Sequence, residues 1–142
     1  MFSHRFAHPG GREYCRAFYS EATRCLHLAW TGVITTPDGE HAATELLRLL
    51  PKSPVQYLLN DNSQVLGPWF DSLDWLQRIW APQAGRLGLC YVAHVLQPHT
   101  EDDLGLLLQQ NLFAGKLELQ FFTSLEDADC WLRECQQLAV SC

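Results

Sequence analysis

The chain has 142 residues, of which 47% are hydrophobic and 18% charged, and its net charge is −6. That length and hydrophobic content suit one domain with its own core and exclude wholesale disorder. The 10 basic residues are scattered singly through an acidic chain, which makes a poor phosphate-binding surface, so nucleic acid is not an expected partner. No apolar run reaches the roughly 20 residues that span a bilayer, so no transmembrane segment is expected. The opening Met1, Phe2, Ser3, His4 and Arg5 lack a signal peptide's apolar centre, which predicts a cytoplasmic protein.

Residues 1–12 are polar, contain Pro9, Gly10 and Gly11 and show no hydrophobic period, which predicts a flexible N-terminal arm ahead of a domain over residues 13–142. Residues 13–19 and 23–31 are rich in aromatic and apolar side chains, and Ser20, Glu21 and Ala22 between them make an antiparallel hairpin. Thr36 then reads as a helix N-cap with Pro37 at the first helical position. Ala43, Leu46, Leu47 and Leu50 give that helix one apolar face, and Pro51 stops it.

A short apolar strand over residues 55–59 follows. Asn60, Asp61, Asn62 and Ser63 then predict a turn, because Asn and Asp side chains bond their own backbone and tolerate left-handed geometry. Gly67 and Pro68 break the chain before a helix from about Asp71, whose stripe is Leu73, Leu76, Ile79 and Trp80 and which Pro82 and Gly85 end or kink. Residues 89–96 form the next strand. Thr100 caps a third helix, with Glu101, Asp102 and Asp103 at its positive end and Leu104, Leu107 and Leu108 inside. Residues 116–122 make the last strand. A closing helix from Leu125 buries Leu125, Ala128, Trp131, Leu132 and Cys135 and turns Glu126, Asp127 and Arg133 outward.

The order is β-β-α-β-α-β-α-β-α. It predicts a single α/β domain with a mixed five-stranded sheet, parallel apart from the first hairpin strand, and four helices. Cys15, Cys25 and Cys90 fall in predicted strands, Cys130 and Cys135 in a predicted helix, and Cys142 last. No Cys-x-x-Cys pair and no zinc spacing occurs, so six free thiols and no metal are expected. No glycine-rich phosphate loop or other cofactor motif is present, because Gly10 and Gly11 precede a strand without a following helix.

Ligands on parallel sheets gather beyond the carboxyl ends of the strands, where Asp61 and Ser63 are expected; His99 lies one strand over. Pure turn chemistry competes with ligand contact at Asp61 and Ser63, and simple solvation competes at His99. His94 lies inside an apolar strand and reads as a neutral histidine hydrogen-bonded within or beside the core. No Gly-x-Ser-x-Gly elbow exists, so hydrolase chemistry has little support. Trp80 and Trp131 fall on buried stripes. Trp69, Phe70 and Trp75 lie off the main stripe and offer an apolar groove or lid, with sealing of the sheet end as the alternative.

Asp61, Gly67, Trp69 and the pair Trp75-Leu76, followed by the strand after Gly88, set one pattern; Phe122, Ala128, Trp131 and Leu132 set another. With the element order, these resemble the STAS (SpoIIAA-like) domain family over residues 13–138, closest to an uncharacterised bacterial branch that is itself similar to lipid-binding CRAL-TRIO relatives. The resemblance implies fold more than function. Regulatory STAS domains carry a phosphorylatable Asp-Ser-(Ser/Thr)-Gly segment. Here Asp71 and Ser72 are followed by Leu73 and Asp74, so Ser72 is at most a candidate phosphosite, with helix capping the plainer role and Asp74 repelling a phosphate. The expected function is a non-catalytic cytoplasmic binding or regulatory module. It would engage a protein partner or small apolar ligand through Asp61, Ser63, Trp69, Phe70, Trp75 and His99, and a homo-oligomer is compatible with it. The alternatives are a lipid-carrier-like pocket and a small hydrolase using Asp61, Ser63 and His99.

Overall fold

The computed structural model describes residues 2–49, 55–66, 82, 85–86, 88–97 and 118–138. Six strands form one sheet in the order of the chain: β1 (Phe2–Ala7), β2 (Glu13–Ser20), β3 (Cys25–Gly32), β4 (Tyr57–Val65), β5 (Tyr91–Val95) and β6 (Glu118–Phe122). β1, β2 and β3 pair antiparallel, whereas β3, β4, β5 and β6 pair parallel. The described helices are α1 (Thr36–Leu49) and α2 (Leu125–Leu138).

The mixed α/β sheet matches expectation, and the strand and helix counts do not. Six strands and two helices are described in place of five and four. The extra strand is β1: the stretch expected to be a loose arm pairs with β2 from Phe2 opposite Tyr19 to Ala7 opposite Glu13. The helix bodies expected from about Asp71 and after Thr100 lie outside the described residues, although Pro82, Gly85 and Arg86 are themselves helical. Among the described residues no helix is long and apolar enough to cross a membrane.

Side chains alternate across a strand, so register assigns each residue to a face. On one face Leu26, Leu28, Trp30, Leu58 and Val92 meet Ala42 and Leu46 of α1, and Leu119 and Phe121 pack beside them. On the other, Tyr57, Leu59, Ala93 and Val95 meet Ala128, Leu132 and Cys135 of α2, with Trp131 and Phe122 partly buried. β4 and β5 are covered on both sides, which is why their opening residues, Tyr57, Leu58 and Leu59 in one and Tyr91, Val92 and Ala93 in the other, read as apolar runs.

Both helices start on side-chain caps. Thr35 Oγ1 accepts from the Asp38 N–H at 3.2 Å while Asp38 Oδ2 accepts from the Thr35 N–H at 3.1 Å, a reciprocal box. The cap is thus Thr35 rather than the expected Thr36, and Pro37 still falls in the first turn, where its missing N–H leaves no gap. Ser124 Oγ accepts from the Asp127 N–H at 3.2 Å and caps α2. Leu125, expected inside, is 41% exposed, because it precedes the first full turn that reaches the sheet.

Candidate functional site

The expected turn at Asn60 is absent. β4 runs through Asn60, Asp61, Asn62 and Ser63 to Val65, because β3 supplies ladder partners up to Asp61 and again at Gln64 and Val65. Local turn chemistry survives inside the strand. Ala29 faces Asp61 but Thr31 faces Gln64, so β4 carries an extra residue, and Asp61 Oδ1 accepts from the Ser63 N–H at 2.9 Å within that bulge. Pairing with β5 ends at Asp61 opposite Val95. β4 therefore outruns β5 at the carboxyl ends of the parallel strands.

Continuing the strand buries polar side chains, and each needs a partner. Asn60 is 4% and Asn62 0% exposed. The Trp30 indole N–H donates to Asn60 Oδ1 at 2.8 Å, and the Asn60 amide lies 3.2 Å from His94 Nδ1. The Asn62 amide lies 2.9 Å from His94 Nε2, and the Phe121 ring meets the imidazole edge to face at 5.4 Å. A polar ribbon thus crosses β3, β4, β5 and β6 on the face that α1 covers. Burial pulls the His94 pKa down to about 4, against the opposing pull of the Asp61 carboxylate, so the ring is neutral as the sequence predicted.

Asp61 shares the opposite face with Val95, its register partner. There burial also lowers the pKa of His27, with Asp61 and Asp129 acting against it. Asp61 and Ser63 are brought together, but through the serine's backbone N–H, so the carboxylate is engaged with the chain and not with a hydroxyl nucleophile. Trp69, Phe70, Ser72, Trp75 and His99 lie outside the described residues. Among the described residues no three His, Cys, Asp or Glu side chains are placed to hold a metal ion.

The β1–β2 turn reaches the same end of the sheet. Arg12 donates to the Val33 carbonyl at 2.9 Å and lies 3.1 Å from His8 Nε2, while His8 Nδ1 is 3.6 Å from Asp38 Oδ1. The guanidinium rests on Gly32, whose φ is +78° and where a Cβ would lie 3.1 Å from Nη1. Beside it, the Leu66 N–H donates to the Gly32 carbonyl at 2.9 Å, which sets exposed Val33 and Leu66 at adjacent strand ends. Sequence reasoning missed Trp30, Asn60, Asn62 and Arg12 as members of this end. The available signal was the Asn-x-Asn alternation in β4, which puts two amides on one face of a strand. No family model matches the chain, and no curated protein or solved structure is similar to it.

Proposed function

We propose that the chain is a non-catalytic, STAS-like binding or regulatory module that takes a protein partner or small apolar ligand at the strand-end face. The observation that carries this reading is the pair Val33 and Leu66, 48% and 64% exposed, set side by side where β3 and β4 finish. Leu66 leads directly into Gly67, Pro68, Trp69 and Phe70 in sequence, so the apolar character continues along the chain. The buried ribbon beneath supports binding over catalysis. His94 is closed off and neutral, and Asp61 is tied to its own strand.

Nucleic acid fits poorly, because several described arginines are engaged within the chain: Arg16 and Arg5 lie 3.2 and 3.5 Å from Glu13, and Arg12 caps the end of β3. A cytoplasmic setting agrees with free Cys15, Cys25, Cys130 and Cys135. The disulfide at Cys90 pulls the other way, since reducing compartments keep such thiols apart.

The test is native mass spectrometry of the purified chain beside Leu66→Asp and Val33→Asp. Wild type should carry a ligand or form a defined complex, and either charge should remove it while the melting temperature holds. A bound species that survives both substitutions would move the site elsewhere; a bare monomer under all conditions would end the reading.

A further inference from the structure

Side chains fasten the turn between β1 and β2 to the rest of the fold, and one of them is a histidine. The His8 N–H donates to the Arg12 carbonyl at 2.8 Å and the Gly11 N–H to the His8 carbonyl at 2.8 Å, with Gly11 at a φ of +96°. That closure brings the side chains of His8 and Arg12 together. Arg12 Nη2 meets two acceptors, the Val33 carbonyl at 2.9 Å and His8 Nε2 at 3.1 Å. A guanidinium only donates, so Nε2 has to accept and the imidazole proton sits on Nδ1. Nδ1 is the atom that faces Asp38 Oδ1, 3.6 Å away on α1. This arrangement requires a neutral ring. A second proton, on Nε2, would set one N–H against another between two cations.

The groups around the ring decide which partner a charged His8 keeps. Asp38 is fixed at the start of α1, where its Oδ2 accepts from the Thr35 N–H at 3.1 Å. A carboxylate therefore stands on the Nδ1 side of the ring and a guanidinium on the Nε2 side. Tyr14 of β2 packs against the imidazole at 4.9 Å; burial, with Asp38 adding to it, raises the Tyr14 pKa, so the phenol stays neutral. Glu13 is engaged by Arg5 and Arg16. His4 and His41 line the same seam between β1 and α1, and each meets the Phe6 ring.

We propose that His8 is a pH-operated latch: neutral, it accepts from Arg12 and holds the β1–β2 turn on the end of β3; protonated, it releases Arg12 and stays with Asp38 on α1. Histidine is the side chain that changes charge in mildly acidic solution, and here one proton removes an acceptor and adds a repulsion at the same atom. The end of β3 then loses part of its fastening, because the guanidinium that leaves His8 is the one resting on Gly32 and bonded to Val33. The latch goes beyond the binding reading and does not depend on it, since every readout below is of the chain alone.

The experiment is nitrogen-resolved NMR and amide hydrogen exchange on the full chain between about pH 8 and about pH 5. Neutral His8 should show the Nδ1–H tautomer. The Leu66 amide, bonded to the Gly32 carbonyl under the guanidinium, reports on the strand end. Its protection, corrected for the intrinsic pH dependence of exchange, should fall about three- to ten-fold as His8 titrates, the scale of one charge-assisted bond near solvent. His8→Gln keeps an acceptor for Arg12 and carries no titrating proton, so protection should stay high across the range. His8→Lys carries a fixed charge and no acceptor, so protection should already be low at about pH 8. An Nε2–H tautomer overturns the proposal, as does protection in wild type that ignores pH. Full protection in His8→Lys overturns it too. A fall that persists unchanged in His8→Gln assigns the switch to His4 or His41 and removes it from His8.

Discussion

At the scale of single residues, the decisive group is His94. It is neutral because the core around it disfavours charge, and unfolding returns it to water, where its pKa is near 6.5. Between pH 6.5 and about 4 the unfolded chain therefore binds a proton that the folded chain does not. The sign follows: stability from this group is fully present above pH 6.5 and is lost as pH falls toward 4. The loss amounts to about 3 kcal/mol at about 1.36 kcal/mol per pKa unit. Urea unfolding at a series of pH values, for wild type and His94→Gln, should show the difference between the two shrinking across that window. A constant difference would place His94 in water. Arg24 offers a second residue-scale check. Its φ is 54°, in the left-handed region that costs a non-glycine residue roughly 1–2 kcal/mol. Arg24→Gly should hold or raise the unfolding free energy, by up to about 1 kcal/mol after glycine's own entropy is counted.

Among the elements, the clearest dependence is the end of β3. Gly32 combines a φ of +78° with the Arg12 guanidinium 3.1 Å from where a Cβ would sit, so Gly32→Ala strains the backbone and displaces the clamp together. Denaturation should show a cost of about 1–3 kcal/mol, and Arg12→Ala in the same background should recover part of it. Helix α2 gives a contrast. Leu132 is 2% exposed and Leu125 41%, so Leu132→Ala should cost about 2–5 kcal/mol and Leu125→Ala less than about 1 kcal/mol. These elements also show what was legible. α2 could be read because Ala128, Leu132 and Cys135 recur at helical spacing, and β2 and β3 because their apolar residues alternate around a short polar turn. β1 alternates too, in Phe2, His4 and Phe6, but a five-residue signal beside Pro9, Gly10 and Gly11 is overridden by its breakers. β4 failed for a different reason. The turn preference of Asn60, Asp61 and Asn62 is local, and it lost to the ladder with β3, surviving only as the bond from Ser63 to Asp61. The polar ribbon needed residues 30, 60 and 94 brought together by register, which no window of sequence contains.

For the whole molecule, the open matter is redox state, and it bears on where the protein works. Sequence spacing predicted six free thiols; the structure keeps Cys15, Cys25, Cys130 and Cys135 free and has Cys90 in a disulfide, while Cys142 lies outside the described residues. Spacing failed here because a disulfide depends on which strands and loops meet, and Cys90 stands alone in its stretch of chain. The free thiols should also differ in reactivity. Burial pushes the Cys25 pKa up to about 11 and raises that of Cys15 further, whereas Cys130 is exposed. Under native conditions a thiol reagent should therefore label Cys130 first, Cys25 slowly and Cys15 only on unfolding, since the thiolate is the reactive form. In denaturant without reductant Cys15, Cys25, Cys130 and Cys135 should titrate, whereas Cys90 should react only after reduction. A reductant should also lower the unfolding free energy by about 2–4 kcal/mol, as opening a native bridge does. Six thiols in freshly prepared, unreduced protein would dissolve the bridge and return the molecule to the reduced, cytoplasmic setting that its sequence first predicted.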